Sequence, residues 1–154
     1  MEKKSYKALK IVSTFTLIFI ILWIVLYGFQ TYVVLGVEPI NLQEPHKGLK
    51  IGWFIANRVL ILITAALLIA FVKNILKSIK DGAIFNRCNV KILFALVVVL
   101  PIHSFISDSV SSVCSDKCEC VLTDSPFVYT TVTLLIAILY KLAYDAAEEQ
   151  KLTV

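Results

Sequence analysis

The chain has 154 residues, 58% of them hydrophobic and 17% charged, with a mean hydropathy of +0.84. Soluble domains hold about 45–50% apolar and about 25% charged residues, so this composition excludes a soluble globular domain. The formal charge of +4 lies on bases beside apolar runs rather than on a soluble face, which argues against direct nucleic-acid binding and for membrane topology.

Residues 1–10 carry Lys3, Lys4, Lys7 and Lys10, and residues 11–36 follow without a single charge. About 20 such residues cross a bilayer. The run is longer than the roughly 7–15 residues of a secretory h-region and lacks an A-x-A-like cleavage site, so a retained first helix over 8–36 is expected. Residues 37–50 hold Glu38, Pro39, Glu44, Pro45, His46 and Gly48, polar groups and helix breakers that belong in a loop.

The second expected helix, 51–80, is apolar to residue 72 except for Asn57 and Arg58, and its Ala66 and Ala70 have the small-xxx-small spacing that admits a neighbouring helix. Lys73, Lys77, Lys80, Arg87 and Lys91 come next, opposed only by Asp81. Gly82 offers a left-handed stop, and Asn86 or Asn89 can cap the following helix. The third helix, 89–113, has Pro101 in mid-span, where a kink is expected. After a second polar loop, Ser125 is a natural N-cap with Pro126 at the first helical position, which starts a fourth helix over 126–150. The expected fold is all-α: one transmembrane domain over residues 1–154, an integral membrane four-helix bundle.

Orientation follows from the bases, which are retained on the cytoplasmic side. The amino-terminal segment and residues 73–91 are rich in them, whereas the first loop has only Lys47 and Lys50 and the second only Lys117. Both termini and the central connection are therefore expected inside, and residues 37–50 and 114–125 outside.

Charges within a span tend to face a bundle interior or a water-filled cavity. Arg58 lies about 10 Å below the start of the second expected helix and Asp108 about 8 Å below the end of the third, so antiparallel neighbours bring them level and an ion pair is expected. His103, Ser104, Ser107, Asp108 and Ser111 fall within one arc of about 140° on the third helix. With Arg58, the first four of these make an intramembrane polar cluster, read either as a packed structural seam or as an ion or small-molecule site. No metal site is expected, since the only other histidine is His46 and zinc wants three or four ligands. Cys114, Cys118 and Cys120 share one loop while Cys88 stands apart; in an oxidising compartment two of the three would pair as a structural disulfide. A thiol-redox role lacks its C-x-x-C motif.

The stretch GAIFNRCNVKIL and the terminal EEQKLTV together resemble a bacterial family of small four-helix membrane proteins known as a domain of unknown function, number twenty-nine seventy-five. The matching positions are Gly82, Phe85, Asn89 and Leu93, then Glu148, Glu149, Leu152, Thr153 and Val154. Lys151 stands where the family often has an acid, and the loop cysteines are not part of its pattern. The resemblance implies an integral inner-membrane protein, often encoded beside a small helix-turn-helix regulator. No catalytic motif and no cofactor signature is present in the sequence. The leading expectation is thus a non-enzymatic membrane partner of a cytoplasmic transcription regulator, in contact with the lipid bilayer and compatible with a homo-oligomer. The alternative is a small transporter, channel or immunity-type protein built on Arg58 and Asp108; a thiol-redox protein is third.

Overall fold

The computed structural model describes residues 3–36, 46–80, 85–114 and 119–152. They form four α-helices, α1 (Lys3–Gly36), α2 (Lys47–Lys80), α3 (Arg87–Val113) and α4 (Ser125–Leu152), and no strand. Each helix is long and apolar enough to cross a membrane. At 1.5 Å per residue the 34-residue α1 and α2 are about 51 Å long, against about 30 Å of hydrocarbon, so both overrun a bilayer core. Gly82, Cys118, Thr153, Val154 and most of the first loop lie outside the described residues.

All four helices begin earlier than the apolar runs suggest, because polar and charged residues also propagate a helix, and hydropathy marks the span rather than the cap. α2 starts before residue 51: His46 adopts φ 80° and its carbonyl accepts the Lys50 N–H at 3.1 Å. Lys50, expected in the loop, is therefore helical, and it is buried. Asn86 caps α3, its Oδ1 accepting the Cys88 N–H at 2.7 Å from an extended backbone. The other capping candidate, Asn89, is fully buried inside the helix instead. At α4 the carbonyl of Asp124 accepts the Val128 N–H at 3.1 Å, which moves the expected cap back one residue and leaves Ser125 and Pro126 in the first turn. α3 runs through Pro101 as one helix.

Consecutive helix backbones pack together, α1 on α2, α2 on α3 and α3 on α4; among the described residues no other pair comes as close. The core forms where α3 meets α4: Leu93, Leu96 and Ala137 are buried, surrounded by Leu67, Leu68, Phe71, Leu100 and Tyr140. Ala137 has no exposed surface, and a side chain that small lets two helix backbones close on each other. On α2 the residue that does this is Ala65, 2% exposed, whereas Ala66 of the expected small-residue pair is exposed. One residue is a turn of about 100°, enough to take Ala66 off the packed face. Most large apolar side chains of α1 and α4 face outward, Phe15, Leu26, Phe29, Leu135 and Leu139 among them, which is the pattern of helices whose solvent is lipid.

Ala137→Leu should overfill the α3–α4 contact and destabilise the protein by about 1–3 kcal/mol, whereas Ala66→Leu should stay within about 0.5 kcal/mol of the parent. Thermal unfolding in a mild detergent measures both. Equal effects would place the close approach elsewhere.

Candidate functional site

The polar arc of α3 opens into a cavity. His103, Ser104, Ser107 and Asp108 line one side of a space of about 460 Å³ whose other walls are Thr16, Phe19, Ile20 and Trp23 of α1, Thr64 and Leu68 of α2, Leu100 of α3 and Tyr129 of α4. The space exists because α1 packs only on α2 and leaves a gap toward α3 and α4. Ser104 is buried and Ser107 exposed on its rim, while Thr64 satisfies its hydroxyl on the carbonyl of Leu60 at 2.8 Å. Ser111, on the same arc, is exposed and does not line the cavity.

Asp108 is held from the segment before α4, where the Thr123 hydroxyl donates to its Oδ2. Two turns of chemistry fix that segment. Ser109 donates to the carbonyl of Val121 at 3.0 Å and accepts the N–H of the same residue at 3.1 Å, and Ser109 is fully buried. It lies about 100° beyond Asp108 around the helix, so it faces the loop and not the cavity.

Arg58 does not join this group. Its guanidinium sits 4.4 Å from the ring centre of Tyr27 on α1 and 4.5 Å from that of Phe54, and it makes no ion pair with Asp108. Its Nε and Nη1 are buried without a hydrogen-bond partner among the described residues, as is Oδ1 of Asn57. Asn57 Nδ2 donates to the Tyr27 hydroxyl at 3.1 Å, which holds the ring beneath the cation. The expected pair fails on azimuth. Trp53 faces α3, with its ring 5.9 Å from that of Phe105, and Arg58 lies about 140° around α2 from Trp53, on the side of α1. Aromatic faces, rather than a carboxylate, offset its charge.

The motif residues of the central connection converge on a residue the sequence did not single out, Tyr140. Its hydroxyl accepts the Asn86 N–H at 3.3 Å and Asn89 Nδ2 at 3.2 Å. Its ring stands edge-on between Phe71 and Phe85, at 5.9 and 5.3 Å, beside Leu93. Phe85, Asn89 and Leu93 are thus one structural cluster. Glu148 and Glu149 lie on the last turns of α4, and Leu152 ends it. Only the alternation of Tyr140 with the charged tail marks it in sequence, a signal too common to act on.

No disulfide joins Cys114 to Cys120, and Cys118, the third of the expected set, lies outside the described residues. The Cys114 thiol points to the carbonyl of Lys50 at 3.8 Å, and Asn74 Nδ2 donates to Cys88 Sγ at 3.4 Å. Among the described residues no three His, Cys, Asp or Glu side chains gather as a metal site. Comparison of the chain with protein-family models, curated proteins and solved structures gives no match.

Because Arg58 and Asp108 face different neighbours, Arg58→Leu and Asp108→Leu should add within about 0.3–0.5 kcal/mol in a double-mutant cycle of detergent stability. Arg58→Leu with Tyr27→Leu should couple by about 0.5–2 kcal/mol, the range of a cation–π contact. Coupling to Asp108 and none to Tyr27 would reverse the assignment.

Proposed function

We propose that this chain is a non-catalytic integral protein of a bacterial inner membrane, with both termini and the central connection in the cytoplasm, that holds or modulates a cytoplasmic partner. Membership of the small four-helix family it resembles is part of this reading, and a helix-turn-helix regulator is the partner class that the resemblance implies. The observation that carries the proposal is the Tyr140 cluster. It ties α2, the connection, α3 and α4 into one body at the basic end. Lys73, Lys77, Lys80, Arg87 and Lys91 remain exposed around that body. α2 and α4 both run on past their apolar stretches into charged turns, residues 73–80 and 145–152. A surface held by a buried polar and aromatic cluster keeps its exposed charges for another molecule, either an acidic protein face or anionic lipid.

A second reading, a small transporter, channel or immunity-type membrane protein, is favoured by the cavity beside Asp108. It no longer draws on Arg58, which faces α1.

Topology is tested with a membrane-impermeant thiol reagent on intact cells, using the exposed Cys88 and Cys120. Cys120 should react after reduction and Cys88 should not; the opposite pattern inverts the protein. For the partner, the helix-turn-helix protein encoded next to the gene, where there is one, should sediment with membranes that contain the chain. Lys77→Glu with Lys80→Glu should release it by about tenfold or more, the scale of one or two lost charge contacts. A regulator that stays soluble beside the wild-type chain defeats the proposal.

A further inference from the structure

We infer that the cavity between α1 and α3 is a binding site for a lipophilic monocation, a molecule carrying one positive charge on an apolar body. Asp108 lines the cavity, and only its Oδ2 is engaged by protein, through Thr123. Among the described residues no Lys or Arg pairs with it, since Arg58 is taken up by Tyr27 and Phe54; the basic side chain that shares its wall and feels its charge is the His103 imidazole. A carboxylate inside a span is stabilised most directly by a positive charge brought against it. That requirement defines the polar part of the ligand.

The remaining walls define the rest. Phe19, Ile20, Trp23, Leu68 and Leu100 are apolar, and a bare metal ion would want several oxygen ligands, whereas among the described residues Asp108 is the only carboxylate lining the space. A delocalised or alkylated cation needs few, and gains from ring faces such as those of Trp23 and Tyr129. The volume of about 460 Å³ suits a small organic molecule. Entry is from the side: the backbone of α1 approaches only α2, so the gap toward α3 and α4 opens where lipid would lie. A ligand that partitions into hydrocarbon reaches such a site without crossing the bundle.

Titration calorimetry of the full chain in nanodiscs with tetraphenylphosphonium tests this. The wild type should bind saturably at one site. Asp108→Asn, whose amide oxygen still accepts the Thr123 hydroxyl, should lose about tenfold or more in affinity, and Asp145→Asn, which removes an exposed acid paired with Lys141 elsewhere on α4, should lose none. Ser107→Phe fills the cavity from its exposed rim and should abolish binding without disturbing the core, which keeps the test decisive if Asp108→Asn folds poorly. Absence of saturable binding by the wild type, or wild-type affinity in Ser107→Phe, overturns the inference, as does an equal loss in the Asp108 and Asp145 variants. None of these outcomes depends on a cytoplasmic partner.

Discussion

Everything at the basic end of the bundle hangs on one phenol. A tyrosine hydroxyl half-buried among helices gains by finding partners, because a hydrogen bond left unmade away from water costs about 1–3 kcal/mol. Tyr140 accepts from both the backbone of Asn86 and the side chain of Asn89. Those two bonds join α4 to the cap of α3, and the ring contacts with Phe71 and Phe85 join both to α2 and the connection. Helices in lipid have no hydrophobic drive toward one another, so packing of small residues and polar contacts of this kind decide which faces meet. Ala137, one turn before Tyr140, supplies the close approach that brings the hydroxyl into reach.

The other end follows the same constraint with different groups. Ser109 meets both backbone groups of Val121, and Thr123 meets Asp108. The loop entering α4 is thereby latched to the end of α3, and α3 and α4 behave as a pinned pair. Among the described residues α1 has no such latch to the pair. Its polar attachment is to α2, through Tyr27, Asn57 and Arg58. The cavity is the geometric result: three helices fixed to each other, and a fourth leaning on one of them.

Arg58 and Asp108 show how one bundle treats two intramembrane charges differently. The arginine is stacked between aromatic faces, and its charge is absorbed within the protein. The aspartate lines an accessible space with only one of its oxygens bound, by Thr123. The first arrangement is structural in character and the second is what a binding site requires, which is why the cavity reading rests on Asp108 and not on Arg58.

Much of this architecture was legible in the residues themselves. Apolar runs long enough to cross a bilayer marked four helices, Asn86 was one of two candidates for the α3 cap, and the period of α3 gathered His103, Ser104, Ser107 and Asp108 onto one side, because hydropathy, capping and periodicity are local properties of a chain. The pairing of Arg58 with Asp108 was misjudged because depth along a helix can be counted from sequence, whereas the neighbour a side chain faces depends on how each helix is rotated against the next. The same ignorance of rotation chose Ala66 over Ala65 and passed over Ser109. Tyr140 stayed hidden because its partners lie more than fifty positions away along the chain. Composition and spacing determined that this protein has four membrane-competent helices and a polar third one; only tertiary packing decided which polar groups are consumed in holding the helices together and which one is left facing an open cavity.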